Sequence, residues 1–181
     1  MNLPNIISLG RLLCVPLTVW LVLSDNMDWA FWVFVAAGAS DAVDGFLARR
    51  FGWRTVLGAY LDPVADKALL VSIFVLLGAR DLLPDWLVAL VVLRDVVILG
   101  GAFVLMGPGE PLKIKPLFIS KANTALQIVL AGFVLAEHGF DLAYPECHRY
   151  LVYAVAATTI ASGLGYVLKW GRQAAKWERV P

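Results

Sequence analysis

Charge is the scarcest property of this sequence: 16% of its 181 residues are Asp, Glu, Lys or Arg, beside 60% hydrophobic residues. Ordinary soluble domains carry about 25% charged residues and about 45–50% apolar ones. That imbalance excludes an intrinsically disordered chain. Cysteine is nearly absent too. Cys14 and Cys147 lie far apart in no metal-like spacing, so a disulfide scaffold is excluded and packed free thiols are expected. Neither sign of charge dominates: fifteen basic against fourteen acidic residues leave a net +1. A nucleic-acid-binding tail is therefore excluded, no nucleic-acid partner is expected, and global charge says nothing about other partners. What the chain has in excess is apolar surface, with a mean hydropathy of +0.76. At this length one membrane domain spanning 1–181 is expected.

A search for at least about 18 uncharged apolar residues returns one segment, Tyr150–Leu168. Allowing one to three charges adds Pro4–Ser24, Trp29–Ala48, Leu57–Ala79, Pro84–Met106 and Pro116–Ala136. Each is long enough, at 1.5 Å per helical residue, to cross about 30 Å of hydrocarbon. The expectation is an all-α polytopic protein of six transmembrane helices joined by short loops. No basic segment precedes the first span and no small-residue cleavage site follows it, so no cleavable signal pattern is read.

Orientation follows from Lys and Arg in the loops. Arg49, Arg50 and Arg54 lie between the second and third spans, Lys113 and Lys115 between the fourth and fifth. Lys169, Arg172, Lys176 and Arg179 lie in the tail. The opposite loops hold Arg80 and Arg149 among seven acidic residues, including Asp25, Asp81 and Asp141. Both termini are therefore expected in the cytoplasm or the equivalent matrix compartment. Nine charges fall inside the spans: Arg11, Asp41, Asp44, Asp62, Asp66, Lys67, Arg94, Asp95 and Lys121. With helices alternating in direction, all lie in the cytoplasmic half or near the midplane. An isolated charge at the bilayer centre costs at least about 2.5–3.5 kcal/mol. One polar cavity facing the cytoplasm would accommodate all nine, whereas snorkelling at helix ends accounts for Lys121 or Arg11 but not for four carboxylates.

Asp41 and Asp44 are three apart and share a face of the second helix; Asp62 and Asp66, four apart, share a face of the third. The two helices run antiparallel across a short arginine-bearing loop, so both pairs can meet at similar depth. Four carboxylates cannot all ionise in low dielectric without cations among them. Hard divalent ions with oxygen ligands, Mg²⁺ or Mn²⁺, suit such a set, and the lack of nearby Cys or His argues against zinc. Two such ions about 3.5–4 Å apart would clamp a phosphate group and activate an attacking oxygen. Gly45, Ala48 and Gly58 are small where a helix surface would admit a nucleotide, although close helix packing calls for small residues as well.

The pattern Asp-x2-Asp-Gly-x2-Ala-Arg-x8-Gly-x3-Asp-x3-Asp, from Asp41 to Asp66, resembles the signature of the CDP-alcohol phosphatidyltransferases at every defined position. The six-span plan and the opening Pro4-Asn5-Ile-Ile-Ser8-Leu-Gly-Arg11 are similar to that family too, so the likeness covers nearly the whole chain. The resemblance implies that Asp41, Asp44 and Asp62 hold one metal ion, and that Asp41, Asp62 and Asp66 hold or approach a second. It also implies that Asp66 takes the proton from the acceptor hydroxyl. Gly45, Ala48, Arg49 and Gly58 would line the site for the cytidine diphosphate moiety.

The family transfers a phosphatidyl group from CDP-diacylglycerol to different alcohols, so only acceptor-side residues discriminate among its members. Arg94-Asp95 and the run from Lys113 to Lys121 suit an anionic acceptor; ordinary loop charge also accounts for Lys113 and Lys115. The segments Leu112–Gln127 and Leu93-Arg94-Asp95-Val-Val resemble the eukaryotic-type cardiolipin synthases of this family. The resemblance implies transfer to phosphatidylglycerol with release of CMP, the acceptor being held by Arg94, Lys115 and Lys121. The alternative is a phosphatidylglycerophosphate synthase acting on glycerol 3-phosphate. A cation-coupled transporter would show paired halves, and no repeat relates the first three spans to the last three. The lack of a presequence favours a bacterial inner membrane over a mitochondrial one. The family likeness also suggests a homodimer, for which Gly100-Gly101 and Gly163-x-Gly165 permit close helix contact.

Overall fold

The computed structural model describes the backbone at residues 3–51, 56–104 and 118–177, and side chains chiefly at 13–40, 67–101 and 118–169. Every element it describes is an α-helix: α1 (Leu3–Leu23), α2 (Met27–Phe51), α3 (Val56–Ala79), α4 (Asp85–Val104), α5 (Phe118–Gly139) and α6 (Pro145–Trp177). The described part of each expected span overlaps one of these helices; residues 105–106 and 116–117 of two spans lie outside the described residues. The largest departure is α6, whose 33 residues run well past Leu168. Hydropathy marks only its apolar middle, whereas the helical hydrogen-bond ladder continues through Lys169 and Arg172, whose side chains do not require burial. Both α5 and the Pro145–Lys169 part of α6 are long and apolar enough to cross a membrane.

Among the described residues, α1 packs on α2 and α3, α5 on α2 and α6, and α4 on α6 and α3. These contacts close a ring in the order α1, α2, α5, α6, α4, α3, and α3 also touches α5 across it. Both aspartate-bearing helices, α2 and α3, thus border α1 and also touch α5, α2 as its neighbour in the ring and α3 across it. The interior is apolar where the helices converge, with Val22, Ile73, Phe74, Leu77, Leu87, Leu130 and Val155 fully buried. The outside is apolar as well. Trp20, Trp29, Trp32, Trp86, Tyr150 and Tyr153 are all at least half exposed, and all lie toward the ends joined by the acidic loops, as aromatic residues do at a membrane interface.

Three of those helix ends share one device. Asp25, Asp81 and Asp141 follow α1, α3 and α5 with φ of 59°, 59° and 51°, the left-handed conformation that ends many helices and that Asp tolerates better than most residues. In each, the next amide reaches back five residues: Asn26 donates to the Leu21 carbonyl at 3.0 Å, Leu82 to Leu77 at 2.9 Å and Leu142 to Glu137 at 2.9 Å. Arg80 ties two of the ends together. It donates to the carbonyls of Val22 (2.6 Å) and Leu23 (3.1 Å) and pairs with Asp25 at 2.7 Å.

At Gly139 the start of α2 comes so close that an added Cβ would lie 2.6 Å from the Asp28 amide nitrogen and 2.8 Å from the Met27 carbonyl carbon. Backbone cannot step aside there. Gly139→Ala is expected to destabilise the protein by about 2–3 kcal/mol. At Gly78 the nearest obstacle is a side-chain methyl, Val88 Cγ2 at 2.8 Å, on a stiff β-branched residue that must shift but is not backbone, so Gly78→Ala is expected to cost about 1 kcal/mol, less than Gly139→Ala. Thermal unfolding of both variants in detergent checks the contrast; equal losses would contradict it.

Candidate active site

The buried face of α2 runs through Met27, Ala30, Phe34 and Ala37, in steps of three and four residues. Continued along the same helix, that register passes through positions 41, 44 and 48. On α3 the buried residues Leu69, Leu70, Ile73, Phe74 and Leu77 lead back in the same way to 66, 62 and 58. The helical backbone therefore puts Asp41, Asp44 and Ala48 on the inward register of α2, and Gly58, Asp62 and Asp66 on that of α3. The side chains of these residues and of Gly45 and Arg49 lie outside the described residues, as does Lys115 entirely.

The described part of the candidate site centres on Arg94, only 5% exposed. Its Nε and Nη2 donate to the Ser162 hydroxyl at 3.2 and 2.7 Å, and Nη2 also to the Ser120 hydroxyl. Nη1 donates to Asp95 Oδ1 at 2.5 Å, and Asp95 Oδ2 pairs with Lys67 Nζ at 2.9 Å. One arginine thus joins α4 to α5 and α6, and through Asp95 to α3. Gly163 packs beside it: a Cβ there would sit 3.7 Å from Arg94 Cγ, an ordinary van der Waals contact. Lys121 differs: it is exposed, seven residues from the exposed Ile128 on the outward face of α5.

Helix α5 carries a second polar layer. Asn123 and Gln127 are fully buried. The Asn123 Oδ1 accepts from the hydroxyls of Thr158 (2.9 Å) and Thr159 (2.8 Å), whereas its Nδ2 and the Gln127 Nε2 have no hydrogen-bond partner among the described residues. Buried amide donors of this kind are costly to leave unpaired. The α2–α5 register shows what lies beside them. Gly132 is against Phe34 and Gly139 against Met27 and Asp28, and this antiparallel register carries Asn123 and Gln127 to the level of residues 39–44 of α2. Among the described residues no three His, Cys, Asp or Glu side chains could hold a metal ion, so the aspartate set remains the candidate. A cavity of about 1090 Å³ opens at the opposite end of the bundle, lined by Asp81, Asp85, Glu137, His138 and His148 among others. It is not the chamber the sequence leads one to expect, whose walls fall largely on side chains outside the described residues.

The sequence profile of CDP-alcohol phosphatidyltransferases matches residues 1–166. The chain belongs to this family. Both aspartate-bearing helices and the whole Arg94 network fall inside the matched region. Relatives within the family divide between two names. A chloroplastic CDP-diacylglycerol–glycerol-3-phosphate 3-phosphatidyltransferase of Oryza sativa is 38% identical over 94% of this chain and 57% of its own length. Human cardiolipin synthase (CMP-forming) is 33% identical over 91% of this chain and 60% of its own. The Bacillus subtilis CDP-diacylglycerol–glycerol-3-phosphate 3-phosphatidyltransferase is 29% identical over 93% of this chain and 94% of its own. The chain thus spans under two thirds of the rice and human proteins.

Sequence reasoning passed over Ser120, Ser162, Asn123 and Gln127. A signal was there. In α5 the polar residues 120, 123 and 127 recur at helical spacing within an apolar segment, and in α6 Thr159 and Ser162 do the same.

Proposed function

We propose that this chain is a metal-dependent phosphatidyltransferase that joins CDP-diacylglycerol to the free hydroxyl of phosphatidylglycerol, giving cardiolipin and CMP. The observation that carries this reading is the shared inward register of four aspartates on α2 and α3, across a ring whose α3–α4 side holds the Lys67–Asp95–Arg94 cluster. The single domain 1–181 crosses a bacterial inner membrane six times, or alternatively the mitochondrial one, with its polar site facing the cytoplasmic or matrix side. It works as a homodimer.

Asp41, Asp44, Asp62 and Asp66 would hold two Mg²⁺ or Mn²⁺ ions. The donor set is all hard oxygen, and the unpartnered amides of Asn123 and Gln127 at the level of 39–44 are of the kind that orient ligating carboxylates from behind. When bound, such ions supply the positive charge that favours displacement at a diphosphate. The protein supplies the rest. Gly45, Ala48 and Gly58 leave space for the cytidine diphosphate moiety, and Arg49 offers it a cation. Of the three basic residues expected on the acceptor side, Lys115 is kept for the acceptor itself, whereas Arg94 is engaged by Ser120, Ser162 and Asp95 and Lys121 is exposed on α5. Asp66 receives the proton of the acceptor hydroxyl as its oxygen bonds to phosphorus and the bond to the CMP oxygen breaks.

A second reading, transfer to glycerol 3-phosphate, is favoured by the name of the rice relative at 38% identity. Purified protein with CDP-diacylglycerol, Mg²⁺ and each acceptor in turn separates them. CMP release with phosphatidylglycerol is the expected result. Efficient release with glycerol 3-phosphate alone would establish the second reading, and release with neither would overturn both.

A further inference from the structure

We infer that Gln127 and Asn123 are positioning residues of the metal centre, kept in the bundle interior at the expense of the stability of the metal-free protein. This rests on the metal-dependent reading above. Asn123, Gln127, Leu130 and Val134 follow one another in steps of four, three and four residues and form a fully buried stripe on α5. Lys121, Ala125 and Ile128, on the opposite side of the helix, are exposed, so the stripe is turned to the interior of the ring. Helix α2 lies to one side of it, where Phe34 meets Gly132, and α6 to the other, where Thr158 and Thr159 bond to Asn123. Helix α3 touches α5 across the ring.

Leu130 and Val134 are the residues a packed interior calls for; two amides on the same stripe are not. Asn123 is 0% and Gln127 1% exposed, and neither Asn123 Nδ2 nor Gln127 Nε2 has a hydrogen-bond partner among the described residues. A buried donor left in that state costs the fold stability, and a residue that breaks the packing rule in this way marks a functional position. The α2–α5 register points to which function. Gly132 against Phe34 and Gly139 against Asp28 bring 123 and 127 to the level of residues 39–44 of α2, where positions 41 and 44 fall on the inward register. An amide is a donor without charge. It can orient a carboxylate from behind without competing with a metal ion for it, as Lys or Arg would.

The test is Mn²⁺ binding and thermal unfolding of purified Gln127→Met, with Asn123→Ala as a second variant and Thr159→Val as a control. Free Mn²⁺ is read from its electron paramagnetic resonance signal in detergent, without donor or acceptor lipid, and metal-free protein is unfolded by heat in parallel. Gln127→Met keeps a side chain of similar length and removes the amide. It should weaken Mn²⁺ binding about 10–100-fold, the usual cost of losing a group behind a metal ligand. It should also raise the Tm of the metal-free protein by about 2–4 °C, because an unpaired buried donor is gone. Asn123→Ala should weaken Mn²⁺ binding as well. Thr159→Val removes only a hydroxyl donated from α6 and should leave Mn²⁺ affinity at the wild-type value. Unchanged affinity in Gln127→Met, a lowered metal-free Tm in that variant, or an equal loss of affinity in Thr159→Val would overturn the inference while wild-type binding keeps the metal reading intact. If wild-type protein binds no Mn²⁺, that reading fails and the inference with it.

Discussion

Removing divalent cations with a chelator is expected to abolish CMP release, and adding Mg²⁺ or Mn²⁺ is expected to restore it. Two pairs of aspartates on the inward registers of α2 and α3 cannot all carry charge in a low-dielectric interior unless cations lie among them. Among the described residues, the cations midway along α3 and α4, Lys67 and Arg94, are engaged with Asp95. Charge stabilisation by bound metal at a reacting phosphate is worth several kcal/mol, so the loss should be about 10³-fold or more. Asp41→Asn should reproduce most of it, because that residue is assigned to both ions. Full activity after thorough chelation would remove the metal-dependent mechanism.

Asp66→Asn is expected to lower turnover by about 10²-fold or more, the usual range for loss of a general base, with donor binding near normal. An alcohol is a weak nucleophile at neutral pH and must lose its proton as it attacks phosphorus. Asn retains the shape and an oxygen able to coordinate, but cannot accept that proton. Measuring CDP-diacylglycerol binding beside turnover checks this. Failure to bind donor would make Asp66 chiefly a ligand, and unimpaired turnover would leave the reaction without its assigned base.

The helices were legible in the sequence because each needs about twenty apolar residues, and that constraint leaves a long, continuous trace. Their ends were less so. Asp25, Asp81 and Asp141 read as loop charges that set orientation, whereas their backbone geometry makes them helix terminators, which nothing in an isolated aspartate announces. Arg80 likewise read as a stray outer charge, yet it caps the carbonyls of a helix 57 and 58 residues away. At the site, spacing alone was enough to place the aspartates on common faces. It could not show that Arg94 is spent on Ser120 and Ser162, 26 and 68 residues distant, because such pairings depend on which helices become neighbours in the ring. The buried amides of Asn123 and Gln127 were hidden for the same reason: their meaning comes from the α2–α5 register.

The central claim, that four aspartates on α2 and α3 carry phosphatidyl transfer to a phosphate-bearing lipid alcohol, is tested most directly by the product. Purified protein is given CDP-diacylglycerol with one set of acyl chains, phosphatidylglycerol with another, and Mg²⁺, and the lipids are analysed by mass spectrometry. The account predicts a cardiolipin carrying both sets of chains, formed by wild-type protein and absent with Asp41→Asn. No mixed-chain product from wild type, or its undiminished formation by Asp41→Asn, would contradict it.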